Sequence, residues 1–311
     1  MDDIDLGMDV GTLLDKPVWF HPLMDPAWIL PSERASAKRL CFAAEVDPTG
    51  DTALSLGLPL YLAEAIRMTT DAVTSSFTRG FVAGQDESVT GEDWLALTRV
   101  ADGPGGRTLA VKVRDGAGEI VAELERAGLD NAALAAALAE LPRLLAQELR
   151  GAGVSGGWAP IYVPPTPALA LSSVLAQHLC LSLRRPGTHP THDALTDEQL
   201  SRRSAVKGAL TALGDLATRS SQLFPALLFF GGVVATRAAK NDVYQEVRSS
   251  VAAVTMRASN PADPLNRISV LMFRSFDEHS TADSREKAAL ASGDEALKQW
   301  LLRVRALRWA K

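Results

Sequence analysis

The first clear element in the hydrophobic pattern is a short apolar run. Residues 40–46 are apolar apart from Glu45, and Asp47-Pro48-Thr49-Gly50 interrupts the run, which predicts a buried strand that ends in a turn. A helix is predicted next, with Asp51 as its N-cap and Pro59 marking a kink or a late start. Its apolar residues recur three and four positions apart, at Leu54, Leu58, Tyr61, Leu62, Ala65 and Ile66. The Val- and Thr-rich run Ala72–Phe77 predicts a second strand.

Three short runs separated by glycine-rich turns predict an antiparallel meander. The runs are Trp94–Val100, Thr108–Arg114 and Glu119–Glu125. Apolar and polar residues alternate in the second and third runs, so one face of the meander is expected to be buried and the other wet. Opposite charges add about 0.2 to 1 kcal/mol per cross-strand pair. The register that satisfies them sets Val113 opposite Leu124, Arg114 opposite Glu123 and Lys112 opposite Glu125.

A leucine stripe after the meander predicts a helix that covers the buried face. The stripe is Leu134, Leu138, Leu141, Leu145 and Leu149. Asp130 or Asn131 is the expected cap, and Pro142 predicts a kink. The tract Gly151–Pro167, which is rich in glycine and then in proline, predicts the junction between two domains.

Beyond this tract the periodicity is helical throughout. Helix start signals occur at Thr166-Pro167, Thr196 with Gln199, Ser221, Asn241, Asp263-Pro264, Thr281 and Asp294. They predict about seven helices with starts roughly 20 residues apart, which favours stacked helical hairpins, while an irregular bundle stays open. The expected fold is an α+β N-terminal domain, a mixed sheet of about five strands packed by two helices, followed by an all-α helical-hairpin or repeat-like domain.

The N-terminal segment, residues 1–37, is predicted to be an extended arm because four prolines interrupt it, at Pro17, Pro22, Pro26 and Pro31. Aromatic residues lie between them, including Trp19, Phe20 and Trp28. The favoured interpretation is that these pack on the chain's own domain. The alternative is that they dock on a partner as an extended peptide. The predicted divisions are thus the arm (1–37), the α/β domain (38–150), the linker (151–167) and the helical domain (168–311).

Composition narrows the classes of partner and compartment. The chain has 311 residues and a net charge of −5, which argues against the positive field that non-specific nucleic-acid binding needs. Cys41 and Cys180 lie in apolar surroundings and predict buried free thiols in a reducing compartment. Met1–Asp15 carries aspartates and no apolar core of a signal peptide, so a cytoplasmic location is expected. The apolar run Leu223–Ala235 is too short to span a bilayer and predicts a buried helix.

Residues 38–150 resemble the N-terminal domain of the TolB-like family, an α/β module that precedes helical repeats in many bacterial proteins. The segment LCFAAEVDPTGD at 40–51 resembles the family's first strand and turn, and LPLYLAEAIRMTTDAVTSSF at 58–77 its first helix and second strand. The hairpin pair at 93–125 and the helix at 126–149 resemble the rest of that domain. The family usually places a short helix between its second and third strands, for which Gly80–Gly91 leaves little room. The resemblance implies a binding and assembly module without catalytic residues.

Two catalytic patterns overlap in the glycine tract. Gly151, Gly153 and Gly156 fit the dinucleotide pattern G-x-G-x-x-G, and Gly153, Ser155 and Gly157 fit the nucleophile pattern G-x-S-x-G. Both chemistries need a strand before the motif and a helix after it. Here a predicted helix precedes the tract and prolines follow it, so a linker is favoured and a serine hydrolase using Ser155 is the alternative.

Metal chemistry has one candidate, the loop residues His189, His192 and Asp193, which could offer nitrogen and oxygen ligands to zinc. No cysteine pair or His-Glu-x-x-His helix accompanies them, so neither a metal nor a cofactor is expected.

The last helix carries Arg303, Arg305 and Arg308 beside Trp300 and Trp309, a basic amphipathic face that could lie on anionic lipid. The favoured explanation is that cations near a helix C-terminus complement its dipole.

The leading functional hypothesis is a non-enzymatic scaffold or adaptor protein that binds protein partners or further copies of itself. The candidate interaction residues are Trp19, Phe20, Trp28, Arg303, Arg305 and Arg308. The arm is acidic at Asp2, Asp3, Asp5 and Asp9, and its charge opposes that of the last helix, which favours head-to-tail contact between copies. A serine hydrolase and a membrane-surface adaptor remain the alternatives.

Overall fold

The structure is a computed structural model. It describes residues 13–31, 33, 37–46, 51–78, 81–82, 94–156, 163–183, 197–258, 260 and 262–307. Several sequence predictions lie outside the described residues: the turn at 47–50, most of the segment 80–91, the helix start at Thr196 and the acidic residues before 13.

A mixed sheet organises the N-terminal half. Its strands are β1 (Leu13–Leu14), β2 (Arg39–Val46), β3 (Val73–Phe77), β4 (Phe81–Val82), β5 (Trp94–Gly103), β6 (Gly106–Asp115) and β7 (Ile120–Leu129). The order is β1-β3-β2-β5-β6-β7, with β4 beside the end of β2. β2 runs parallel to β3 and β5, whereas β5, β6 and β7 are antiparallel. The five predicted strands are confirmed; β1 and β4 were not predicted, because two residues are too few to show an alternation.

The meander is confirmed, but the predicted register between β6 and β7 is wrong by two positions. Val113 lies opposite Ala122 instead of Leu124, and Lys112 lies opposite Glu123, with 2.8 Å between its ammonium nitrogen and the carboxylate. The turn explains the shift. The Asp115 carboxylate accepts hydrogen bonds from the backbone N–H groups of residues 117 and 119, so the loop between the strands is shorter than the predicted pairing requires. The two-residue shift keeps Ala122–Glu125 on their predicted faces, but a bulge between Val113 and Arg114 sets Ile120 opposite Arg114. Ile120, which alternation had placed on the buried face, is 53% exposed.

Helix α1 (Thr52–Thr69) begins as predicted, with the Asp51 carboxylate accepting from the backbone N–H of Leu54. Pro59 lies inside the helix, so the alternative of a late start is wrong. A proline inside a helix costs about 3 kcal/mol, because its ring displaces one backbone hydrogen bond. Burial outweighs this cost, since nearly every residue from Leu54 to Met68 is buried.

Helix α2 (Asn131–Gly151) packs across the strands of the meander. Asp130 is its cap and accepts from the backbone N–H of Ala133. The predicted leucine stripe is buried throughout, at Leu134, Leu138, Leu141, Leu145 and Leu149. The two helices thus cover one face of the sheet.

The C-terminal half is helical, so the predicted fold class is confirmed. Its helices are α3 (Pro167–Ser182), α4 (Asp197–Arg219), α5 (Leu223–Ala238), α6 (Arg248–Met256), α7 (Pro264–Ser275), α8 (His279–Leu290) and α9 (Glu295–Ala306). The starts at Thr166, Asp263 and Asp294 are as predicted. Asn241 instead caps a short 3-10 helix that leads into α6, and α8 begins two residues before Thr281.

Two apolar cores share α1 and α3. Within α1, Leu54, Leu58 and Leu62 belong to the core under the sheet, and Leu60, Ala65 and Met68 belong to the helical core. Within α3, Ala170 and Val174 belong to the first core, and Ala176, Cys180 and Leu181 to the second. Cys41 and Cys180 are buried and form no disulfide bond among the described residues, as predicted. The two halves are therefore joined by shared helices.

Candidate interaction surfaces

Trp19 and Phe20, two of the predicted interaction residues, lie inside the helical core. The Trp19 side chain is fully buried, and its indole N–H donates to the Glu64 carboxylate at 2.6 Å. Phe20 is 6% exposed and packs edge-on to Trp19 with 6.1 Å between ring centroids. The aromatic residues of the arm thus pack on the chain itself, and burial removes both from any exposed surface.

Glu64 is the buried titratable group at this contact. It lies on α1 and accepts hydrogen bonds from Trp19 and from the side chain of Gln177 on α3. Burial raises the pKa of Glu64 to about 7, although the two hydrogen bonds lower it in part. This residue was not predicted from the sequence, where its only signal is one carboxylate within the apolar run 62–66. The arrangement is a polar junction between the arm, α1 and α3.

Trp28 and Arg303 lie at the contact between the arm and α9. Trp28 packs edge-on to Trp300 with 5.8 Å between ring centroids. Arg303 donates to the carbonyl oxygens of Met24 at 3.2 Å and Asp25 at 2.8 Å. These two acceptors have left-handed backbones, with φ of 63° and 54°, which non-glycine residues seldom adopt. Arg303 therefore holds a strained turn of the arm in place.

Arg305 is also bound within the chain. Its guanidinium lies 2.6 Å from the carboxylate of Glu286, which also binds Arg274 at 2.8 Å. Arg308 lies outside the described residues. Among the described helices, α9 included, none is both long enough and apolar enough to cross a bilayer. The six predicted residues are thus not gathered on one surface: the five that are described contact other parts of the chain.

The glycine tract around Ser155 continues from a helix. Gly151 ends α2, and Gly153 has a left-handed backbone with φ of 96°. The Ser155 backbone N–H donates to the Asp71 carboxylate at 2.8 Å, and Gly156 forms a bridge with the end of α1. A phosphate cradle or nucleophile turn needs a strand at this place. The described part of the tract, up to residue 156, instead fastens α2 to the sheet domain.

The histidines proposed as metal ligands, His189 and His192, lie outside the described residues together with Asp193. Within the described residues, no group of three or more His, Cys, Asp or Glu side chains is placed to hold a metal ion.

The clearest open surface of the sheet is the outer edge of β7. The strand has ten residues, and no described strand pairs with it on the side away from β6. Glu123, Glu125, Arg126, Ala127 and Gly128 are exposed, and Ile120 is 53% exposed. Because an edge strand presents unpaired backbone N–H and C=O groups, it can accept another strand. The strand is predicted by its sequence, but its position at the end of the sheet is not.

An open groove lies beside this edge, between the meander and α2. Its floor is apolar, and Glu125, Arg126 and Glu140 stand at its rim; the apolar lining is Leu109, Leu124, Ala137, Leu141 and Leu144. A strand edge next to an apolar groove is the arrangement that recognises extended peptides, because the edge binds the backbone and the groove binds alternate side chains.

Comparison with known proteins adds no assignment: the chain matches no protein-family model, and no curated protein is significantly similar to it.

Proposed function

We propose that this protein is a non-enzymatic interaction or assembly protein that binds a protein partner through the outer edge of β7 and the adjoining groove. The observation that carries the proposal is the ten-residue edge strand, which lies open to solvent beside an apolar groove. Addition of a strand would satisfy the backbone groups of that edge and cover part of the groove. The proposal differs from the sequence-based hypothesis in its surface, since the arm and α9 bind each other.

The proposal also includes a cytoplasmic location and a TolB-like origin for the N-terminal domain. A cytoplasmic location agrees with the burial of Cys41 and Cys180 without a disulfide bond among the described residues. A TolB-like origin for residues 38–150 would agree with a binding module, and it rests on the sequence resemblance alone.

Site-specific photo-crosslinking in cells tests the proposal. A photoreactive amino acid replaces Glu125 at the β7 edge in one variant and Glu148, an exposed residue of α2 outside the groove, in the other. We expect a defined protein to crosslink at position 125 and not at position 148, and to bind the purified chain. The same set of crosslinked proteins at both positions, or no crosslink at 125, would refute a function at this edge.

A further inference from the structure

We infer that the partner of the β7 edge is an extended segment of another protein with lysine or arginine at alternate positions and apolar residues between them. The inference rests on the proposed function and deepens it by naming the chemistry of the partner.

Among the described strands, β6 is the neighbour of β7, and a cation of β6 pairs with one of the two glutamates on β7. On the face away from the helices, Glu123 lies opposite Lys112 of β6 and forms an ion pair with it at 2.8 Å. Glu125, two positions on and on the same face, lies opposite Ala110, which has no charge. No ion pair forms at Glu125 within the described part of the chain, and its side chain is exposed. An added strand with cations at alternate positions would pair with Glu125 as β6 pairs with Glu123.

The groove specifies the residues between these cations. Side chains of a strand alternate between its two faces, so an added strand that points cations toward Glu125 points its other residues toward the helix side. On that side the groove is lined by Leu124 from the sheet and by Leu141 and Leu144 from α2. Apolar side chains of the partner would therefore lie on an apolar floor.

A second copy of β7 fits this edge poorly. Antiparallel pairing of two β7 strands centred on Leu124 sets Glu123 of one copy opposite Glu125 of the other. Like charges directly opposite one another destabilise a strand pair. The acidic face of β7 thus disfavours self-pairing and favours a basic partner.

Arg126 would modulate such binding. Its guanidinium stands at the rim of the groove and donates to the carbonyl oxygen of Glu125 at 3.1 Å. This cation repels a basic partner, so Arg126→Ala should tighten binding by about threefold, the effect of removing one like charge from a rim.

Fluorescence anisotropy with the full chain tests the inference. The probe is a labelled peptide that alternates lysine with valine, and the comparison peptide alternates glutamate with valine. We expect saturable binding of the lysine peptide alone, which weakens as salt is added. The variant Glu125→Lys should lower the affinity at least about tenfold, whereas Glu148→Lys, the same charge change on α2, should lower it less than about twofold.

A second pair of probes separates strand addition from simple charge attraction. Methylating the backbone nitrogens of alternate residues removes the N–H groups from one edge of the lysine peptide. A strand uses one edge to pair, so one of the two methylation patterns should abolish binding and the other should preserve it. Equal tolerance of both patterns, equal binding of the glutamate peptide, or equal loss in Glu148→Lys would overturn the inference. Circular dichroism and thermal midpoints confirm that the exposed variants stay folded.

The crosslinking experiment distinguishes failure of this inference from failure of the proposed function. A protein that crosslinks at position 125 but carries no alternating cations refutes the basic partner and leaves the edge as the site. If position 125 crosslinks nothing beyond the Glu148 control, the edge itself is refuted.

Discussion

Glu64 shows at the scale of one residue how burial changes the chemistry of a carboxyl group. The carboxylate is 3% exposed, and the indole of Trp19 and the side chain of Gln177 donate to it. Burial disfavours its ionised form more than these two donors favour it, and the pKa is therefore raised from 4.5 to about 7. In the folded chain the group is largely protonated at mildly acidic pH.

The first prediction is that Glu64 makes stability fall as pH rises. Between pH 4.5 and about 7 the folded state holds the Glu64 proton and the unfolded state has released it. Unfolding free energy therefore declines through that window and levels off above it, with a contribution of about 3 kcal/mol. Glu64→Gln keeps an acceptor for the indole and removes the titration. Urea unfolding at several pH values should show a flatter profile for this variant than for the wild type.

The matched control is Glu148→Gln, which removes an exposed carboxylate and should leave the wild-type pH profile unchanged. Parallel profiles for Glu64→Gln and the wild type would contradict the prediction.

Residues whose role depends on local sequence were predictable, and Glu64 was not. Asp51 and Asp130 cap the helices that follow them, since a cap depends on the next three residues. The partners of Glu64 come from the arm and from α3, which are distant in sequence. A pattern along the chain cannot bring such groups together.

At the scale of elements, α1 and α3 approach closely at one glycine. A methyl group placed on Gly57 would lie 2.3 Å from the carbonyl oxygen of Val174, well inside contact distance. Because the obstacle is backbone, neither helix can yield by rotating a side chain. This contact brings together the two helices that both cores share.

The second prediction is that two glycine-to-alanine substitutions have opposite signs. Gly57→Ala should destabilise the protein by about 1 to 3 kcal/mol, because overpacking outweighs the gain in helix propensity. Gly208→Ala, in the exposed middle of α4 with nothing near the added methyl, should stabilise it by about 0.5 to 1 kcal/mol. Denaturant midpoints measure both. A stabilising Gly57→Ala would show that the helices are not in close contact.

The strands of the meander were predictable, but their register was not. Alternation along the second run identified the buried face, which the structure confirms, whereas Ile120 at the start of the third run is exposed instead of buried. Charge pairing predicted Arg114 opposite Glu123, whereas the Asp115 turn places Arg114 opposite Ile120. Turn geometry set the register here, because each exposed ion pair contributes only about 0.2 to 1 kcal/mol. The β7 edge was missed for a different reason, because the sequence of a strand does not show whether it lies at the edge of the sheet.

At the scale of the whole molecule, the N-terminal arm links the two ends of the chain. Arg67 on α1 donates to the carbonyl oxygen of Asp15 and forms an ion pair with Glu33. At the other end, the indole N–H of Trp300 on α9 donates to the carbonyl oxygen of Leu23 at 2.8 Å. Between these points the arm contributes buried apolar residues to the helical core, at Val18, Trp19, Phe20, Leu23 and Ile29.

The third prediction compares two tryptophans of this link. Trp300→Phe keeps a ring and deletes the donor to Leu23, which leaves a buried carbonyl unsatisfied at a cost of about 1 to 3 kcal/mol. Trp28→Phe is the matched control, because the Trp28 indole N–H is buried without a hydrogen-bond acceptor among the described residues. Urea unfolding should show the larger loss for Trp300→Phe, and hydrogen exchange should rise at residues 23–25. Equal losses in both variants would mean that this hydrogen bond contributes nothing measurable.

The fold class was predictable at this scale, because strand and helix periodicities fill separate halves of the sequence. The sharing of α1 and α3 between two cores was not. Nearly all positions of α1 are buried, so its sequence shows two apolar faces without showing what covers each.

The Leu23–Trp300 contact spans 277 positions and bears on the order in which the protein can be completed during synthesis. The arm is synthesised well before α9, so the nascent arm exposes Trp19 and its neighbours while the helical half is made. Loop closure over so many positions makes this a late step of folding. A chain that stops before α9 would leave that apolar arm without its final cover, in the form that chaperones and proteases recognise.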